Sequence, residues 1–131
     1  MNIEASRSAF GSLSDRYVLK YRNGYGFEEQ LDLLRDIPHV NAIPVTYARG
    51  ADPARIRRQL EARGLRAGTV VPDLYANPRF MHGTFASRDA ALRREIMAIC
   101  AEAMDFCHAV GGVDVMLWLA HDGYDYPFED D

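Results

Sequence analysis

The stretch VDVMLWLAHDGYDYP, residues 113–127, largely decides how the chain is interpreted. Its first eight residues form an apolar run of strand length that contains Trp118, the only tryptophan. The remainder is a loop rich in polar and aromatic side chains. In α/β proteins, ligand-binding groups lie just past the carboxyl ends of buried strands. We therefore predict a buried strand over 113–120 with a functional loop directly after it.

Composition excludes several classes of protein. The chain has 131 residues, enough for one domain with a hydrophobic core, and its 48% hydrophobic and 26% charged residues are typical of a globular protein. The net charge of −4 and the pI near 5.5 argue against a nucleic-acid partner, because no basic surface attracts phosphates. No apolar window reaches the length of a spanning helix, so we expect no membrane segment.

The two cysteines indicate the compartment. Cys100 and Cys107 lie two helical turns apart, roughly 10 Å along the axis, which is too far for a disulfide within one helix. We interpret them as buried thiols. The start of the chain also lacks the apolar core of a secretion signal. A cytoplasmic location is therefore predicted.

Strand-like and helix-like segments alternate along the chain. Residues 1–15 are polar and rich in Ser and Gly, and we predict a flexible N-terminal arm there, with the domain over 16–131. Strands are predicted over 17–21, 40–47, 65–71 and 113–120. Pro44 is an anomaly in the second strand, because a proline cannot donate to the ladder of a central strand.

Helices are predicted between these strands. The first carries Phe27, Leu31 and Leu34 on one face. The second begins at Asp52-Pro53, and the third runs from Ser87 to the Gly111-Gly112 pair. Alternation of this kind predicts an α/β fold with a parallel sheet. No GxGxxG, P-loop, CxxC or HExxH motif is present, which removes the commonest nucleotide and metal signatures.

Four segments together resemble the xylose-isomerase-like TIM barrels. They are PDLY at 72–75, NPRF at 77–80, GTF at 83–85 and LWLAHDGYDYP at 117–127. Within that group the chain is most similar to the sugar isomerases related to L-rhamnose isomerase and to the broader sugar phosphate isomerase/epimerase family. Such (β/α)₈ barrels have about 250 residues. The resemblance, over 17–131, therefore implies the N-terminal half of a TIM barrel, about four parallel βα units.

The resemblance also implies an activity. The full-length form would be a sugar or sugar phosphate isomerase or epimerase that depends on a divalent metal, Mn, Mg or Co. The metal ligands are expected outside this chain segment, and no catalytic residue is assigned within it. This half would form the wall that faces the substrate and would be inactive alone. Some relatives carry a catalytic His after strand two, but this chain has VTY at 45–47, so no ring-opening role is assigned here.

Substrate-binding residues are predicted at the ends of the third and fourth strands. The resemblance implies that Trp118 and Tyr75 pack against the C–H face of a sugar, and the chemistry agrees, because an aromatic ring covers that face without needing hydrogen bonds. His121, Asp122 and Asp73 would bind hydroxyl groups. Structural alternatives stay open: Trp118 in the core, Asp122 in a turn, and Asp73 as a cap. His121 is equally compatible with an exposed loop.

Two other functions stay open. A non-catalytic carbohydrate-binding half-barrel would assemble as a dimer to cover its two open sheet edges, so a homo-oligomer is compatible with the sequence. A flavodoxin-like open sheet would bind its ligand at a switch point. The missing phosphate-binding glycines argue against a nucleotide in that fold. A small-molecule sugar is the predicted partner, with no nucleic acid and no membrane.

Overall fold

The structure is a computed structural model that describes residues 3–6, 10–14, 20–119 and 122. Strands and helices alternate in most of that part of the chain. In chain order they are β1 (Ile3–Glu4), β2 (Leu13–Ser14), β3 (Lys20–Arg22), α1 (Phe27–Arg35), β4 (Val40–Tyr47), α2 (Pro53–Glu61), β5 (Arg66–Pro72), α3 (Ala90–Val110) and β6 (Asp114–Val115). A 3₁₀ turn, Pro78–Phe80, lies between β5 and α3.

Four of the strands form one parallel sheet in the order β1-β4-β5-β6. Their order in space is their order in the chain. Helix α1 precedes β4, α2 connects β4 to β5, and α3 connects β5 to β6. This succession of βα units is that of a TIM barrel, in which eight such units close into a ring. The fold is therefore half of a (β/α)₈ barrel, which confirms the predicted fold class.

The first strand of the sheet differs from the one that the sequence predicts. Sequence analysis places it at 17–21. The described end of that region belongs to β3, which pairs antiparallel with β2 in a separate ribbon. The sheet begins instead with β1, inside the segment predicted to be an N-terminal arm. The Ile3 N–H donates to Asn41 Oδ1 at 3.1 Å, so this short strand is fixed by its neighbour rather than by a hydrophobic pattern.

The helices bury one face of the sheet. Ile43, Val45 and Tyr47 alternate along β4 and enter the hydrophobic core. Helix α1 adds Leu31 and Leu34. Helix α3 adds a stripe of buried residues: Ile96, Ile99, Cys100, Ala103, Phe106, Cys107 and Val110. Since side chains alternate along a strand, Ala42, Pro44 and Thr46 project to the opposite face, and none of them belongs to the core that the described helices form.

The ends of the helices match the local signals in the sequence. The Asp52 carboxylate accepts a hydrogen bond from Arg55 N–H at 3.0 Å, and Pro53 is the first residue of α2. Helix α3 ends at Gly111, whose φ of +77° is a conformation that glycine adopts without strain. None of the three described helices combines the length and hydropathy needed to cross a membrane.

The anomaly at Pro44 has a structural explanation. Ile43 of β4 pairs with Ala67 of β5, and Val45 pairs with Val70. Two residues of β5 therefore lie opposite the single residue Pro44, which is the arrangement of a β-bulge. The ladder is already interrupted at this point, so a residue without an N–H is tolerated within a central strand.

The bulge contacts a side chain of β1, the strand that lies on the other side of β4 from β5. Glu4 of β1 accepts a hydrogen bond from Thr69 N–H at 2.7 Å. A Cβ atom on Gly68 would overlap the Glu4 carboxylate. Gly68 therefore leaves the space that the Glu4 carboxylate needs to bind β5 from β1.

Replacing Gly68 with Ala should displace the Glu4 carboxylate and lower the free energy of unfolding by about 1 kcal/mol, the net worth of one hydrogen bond. Urea unfolding of the wild type, Gly68→Ala, Glu4→Ala and the double variant measures this. Because the cost arises from Glu4, Gly68→Ala should cost much less in the Glu4→Ala background. An equal cost in both backgrounds would show that the bulge does not depend on Glu4.

Candidate functional site

The predicted strand over 113–120 is paired only at its beginning. Asp114–Val115 forms β6, and the Met116 N–H donates to Val70 O at 2.9 Å. Residues 117–119 continue without regular structure and are exposed. The segment therefore leaves the sheet close to the carboxyl end of β5, at the rim where the ligands of TIM barrels bind.

Tyr75 and Trp118 meet at this rim. Tyr75 lies in the loop after β5, and Trp118 follows β6. Their ring centroids are 6.0 Å apart and their planes are inclined by 37°, within the usual range for an aromatic pair. Tyr75 is 41% exposed and Trp118 is 58% exposed, so the alternative of Trp118 as a core residue is wrong. The two aromatic side chains form an accessible surface.

Asp122 binds the loop that follows β5. Its carboxylate accepts hydrogen bonds from the N–H and hydroxyl of Thr84, from Phe85 N–H at 3.0 Å and from Ala86 N–H at 3.4 Å. Gly83 has a φ of +106°, and a Cβ there would lie 3.4 Å from Asp122 Oδ1. Burial raises the pKa of Asp122, but the hydrogen bonds from Thr84, Ala86 and Phe85 outweigh it and lower the pKa overall.

The position of Asp122 favours a structural role over hydroxyl binding. A carboxylate has about four lone-pair sites, and four protein donors already point at this one. Asp122 therefore holds the segment after β6 against the loop after β5. These are the two segments that carry Trp118 and Tyr75, so Asp122 positions the aromatic pair.

Asp73 also has a local structural role. Its N–H donates to Tyr47 O at 2.9 Å, and its Oδ1 accepts from Ala76 N–H at 3.2 Å. The carboxylate thus caps the turn that leads to Tyr75, as the cap alternative predicts. Its Oδ2 accepts none of the hydrogen bonds found among the described residues and is free to bind a hydroxyl group. His121 lies outside the described residues.

The sequence analysis missed a charged cluster on the helix side of the rim. Tyr47 OH donates to Glu102 at 2.9 Å, and Arg49 donates to both oxygens of Glu102 at 2.8 Å. Burial, followed by the hydrogen bond to Glu102, raises the pKa of Tyr47. The Arg49 guanidinium is the main cause of the lowered pKa of Glu102. The cluster binds the end of β4 to α3.

The same cluster extends along α3. Glu95 pairs with Arg79 at 2.6 Å and with Arg49 at 3.7 Å. Glu95 and Glu102 are seven residues apart, which places them on one flank of a helix. That spacing is the signal from which the cluster could have been found, but its partners lie in distant loops. Each side chain of the cluster binds at least one other member of it, so we assign the cluster to the framework of the rim.

The described residues do not fit a metal ion. Over 3–6, 10–14, 20–119 and 122, no three His, Cys, Asp or Glu side chains are grouped so that they could hold one. Cys100 and Cys107 are free and buried, as predicted, and burial raises the pKa of both thiols.

A groove of about 610 Å³ lies elsewhere, between the first turns of α1 and α2. Its walls include Phe27, Ile56 and Arg55. The carboxylates of Glu29 and Asp52, which also line it, already cap the backbone N–H groups there. None of its lining residues belongs to the loops after β5 and β6, so the groove is separate from the aromatic pair.

No protein-family model and no curated protein sequence matches the chain. Among solved structures, the fold is similar to that of D-psicose 3-epimerase, crystallised in the presence of D-fructose, with a TM-score of 0.61. The sequences are 14% identical, and the match covers 98% of this chain and 41% of that chain. At this identity the likeness shows the fold alone. The chain thus shares the fold of part of that protein and spans less than half of its length.

Replacing Asp122 with Asn should lower the free energy of unfolding by about 1–2 kcal/mol at pH 7, since an amide has one acceptor oxygen in place of two. Thermal or urea unfolding measures the change. Asp105→Asn, at an exposed carboxylate on α3, is the matched control and should have little effect. Equal losses in both variants would exclude an anchoring role for Asp122.

Acid should remove the stabilisation that Asp122 provides. Its pKa is lower in the folded chain than the ordinary value of about 3.9, so its contribution is complete above that value. The contribution is lost as the pH falls through the folded pKa. The difference in unfolding free energy between the wild type and Asp122→Asn should therefore be largest near neutral pH and shrink below a pH of about 4. A difference that stays constant into acid would contradict this.

Proposed function

We propose that this chain forms the substrate-facing wall of a sugar or sugar phosphate isomerase or epimerase. The observation that carries the proposal is the accessible Tyr75–Trp118 pair at the carboxyl-end rim of a half barrel. The likeness in fold to a sugar epimerase crystallised with D-fructose supports it.

The chemistry of the pair suits a sugar. A sugar ring presents C–H groups on its faces and hydroxyl groups at its edge. An aromatic ring covers the C–H face and leaves the hydroxyl groups to polar neighbours. Two rings inclined by 37° form an angled platform against which one sugar can rest. At this rim, Oδ2 of Asp73 is the proposed acceptor for a sugar hydroxyl group, and His121 is proposed as a second one.

The reaction we propose moves a hydrogen between neighbouring carbons of an opened sugar, or inverts one of its carbons. A divalent metal such as Mn, Mg or Co would stabilise the charge that develops on the sugar oxygens. Its ligands would come from outside the described residues. The contribution of this chain is to bind the sugar and to orient it, which can supply a large part of the rate enhancement.

Trp118 provides a direct measurement of sugar binding. Because it is the only tryptophan, its fluorescence reports on the proposed site alone. Titration with monosaccharides, D-fructose among them, should change the emission until the site is saturated. Calorimetry of Trp118→Ala and Tyr75→Ala should show an affinity at least about fivefold lower, because each loses about 1 kcal/mol or more of ring contact.

Tyr21→Ala is the matched control, since Tyr21 is an exposed aromatic residue of the separate ribbon. It should bind sugar as the wild type does. No saturable binding of any monosaccharide, or equal losses in Tyr21→Ala and Trp118→Ala, would refute the sugar wall.

The 131-residue chain alone should not convert one sugar into another. Incubation with ketohexoses and aldohexoses in the presence of Mn²⁺, Mg²⁺ or Co²⁺, followed by chromatography of the sugars, measures this. The reason is that the proposed role of the described residues is to bind and orient the sugar. Among them, no three potential metal ligands lie together. Turnover by the purified chain would overturn the division of labour between this half and the rest of an enzyme.

A second candidate is a non-catalytic carbohydrate-binding half-barrel that assembles as a dimer. Among the described strands, β6 lies at one edge of the sheet, and apolar side chains are exposed beside it. These two features favour the dimer. Both candidates predict sugar binding. They differ in what completes the barrel, which is another part of an enzyme in the first and a second half-barrel in the second.

A further inference from the structure

We propose that two copies of this chain close into an eight-stranded ring, in which the β6 side of each copy docks on the β1 side of the other. The β6 side is the edge of β6 with the adjoining flank of α3, and carries Met97, Met104 and Val113. The β1 side is the edge of β1 with the adjoining flank of α1, and carries Leu33 and Ile37. Two such contacts, related by a two-fold axis, would leave neither side open.

The β6 side is defined by the two flanks of α3. Glu95 and Glu102 face Arg49, which lies before α2, so this flank points toward α2. Met97 follows Glu95 by two residues, and Met104 follows Glu102 by two residues, which places each methionine about 200° around the helix from its glutamate. They are 60% and 58% exposed and lie on the flank that points away from α2. Helix α3 is therefore apolar on a flank that no described residue buries.

The β1 side has a matching flank on α1. Glu28 accepts a hydrogen bond from Gln59 of α2 at 2.7 Å, and Asp32 accepts one from Arg63 at 2.8 Å. These acidic residues therefore face α2. Leu33 follows Asp32 by about 100° around the helix, away from α2 and from the core, and it is exposed, as is Ile37 just beyond the helix.

The strand edges fit the same arrangement. β1 and β6 are the two edge strands of the parallel sheet. A parallel pair between β6 of one copy and β1 of the other would continue both sheets in the same direction. Four strands from each copy give the eight strands of a closed barrel, and closure removes both edges.

Charge favours a second copy as the occupant. Glu29, in the first turn of α1, lies about 40° around the helix from Leu33, and the basic Arg93 and Arg94 of α3 lie within about 60° of Met97. The helices of a βα barrel run in the same direction, so their first turns lie level. Docking α3 on α1 of the other copy would therefore bring opposite charges together at one end and Met97 near Leu33 about one turn further along.

The ring would also complete the site. It would cover the face of the sheet that no described helix covers and would enclose the space below the Tyr75–Trp118 pair. The inference does not rest on sugar chemistry, because assembly can be measured without any sugar. The inference rests on the second candidate function, in which a second copy completes the barrel. A monomer would refute this assembly, whereas sugar binding by the Tyr75–Trp118 pair is tested separately by titration.

Sedimentation equilibrium of the 131-residue chain should give a dimer at micromolar concentration. Met97→Glu and Met104→Glu should each raise the dissociation constant by about tenfold or more, because each places a charge in an apolar contact. Met81→Glu, at an exposed methionine of the loop after β5, is the matched control and should leave the dimer unchanged. Circular dichroism confirms that each variant is folded.

A wild-type monomer, an open-ended series of larger species, or aggregation without a dimer overturns the proposal. So does a dimer that Met97→Glu and Met104→Glu weaken no more than Met81→Glu does.

Cross-linking tests which sides meet. Equal amounts of Leu33→Cys and Met97→Cys should form a mixed cross-linked dimer with a short bis-maleimide, read by mass spectrometry. The yield should be several-fold above that from Leu33→Cys mixed with Met81→Cys. Equal yields from the two mixtures would show that the α1 and α3 flanks do not dock.

Discussion

A parallel sheet normally has cover on both of its faces, and in the described part of this chain only one face is covered by helices. The other features of the molecule follow from this constraint. On the covered face, α1, α2 and α3 bury a continuous apolar core. At the open end, β6 pairs over only two residues, and the apolar segment that follows it is exposed. Trp118, at the rim beside this end of the sheet, is among the exposed residues.

The position of that tryptophan depends on one carboxylate. Asp122 gathers the N–H groups of the loop around Thr84, which is 38 residues away in the chain. This contact joins the loop after β5 to the segment after β6. Along the chain, Tyr75 lies between β5 and Thr84, and Trp118 lies between β6 and Asp122. The Glu102 cluster fixes the end of β4 in a similar way from the helix side. The rim is therefore built from long-range polar contacts placed on a hydrophobic framework.

The sequence predicted what is encoded in local periodicity and failed where a contact is distant. The end of α3 at Gly111 and the cap of α2 at Asp52 were both predicted, because the physical cause of each lies within one helix. β1 was missed because two residues carry no pattern, and pairing with β4 alone makes them a strand.

The same limit applied to the site. The family resemblance implied that Tyr75 and Trp118 lie on one wall, and their ring centroids are 6.0 Å apart in the structure. The role of Asp122 was not decided, since its partners around Thr84 cannot be identified from neighbouring residues. The bulge opposite Pro44 was likewise invisible, because it depends on the register between two strands.

Whether the rim binds a sugar through its aromatic rings can be measured by saturation-transfer difference NMR, with the protein saturated in its aromatic region and D-fructose as the probe. Transfer should be strongest at the C–H protons of one face of the sugar, because the rings at the rim cover a single face. Transfer that is absent, or that is uniform over all sugar protons, would show that the rings do not bind the sugar in this way.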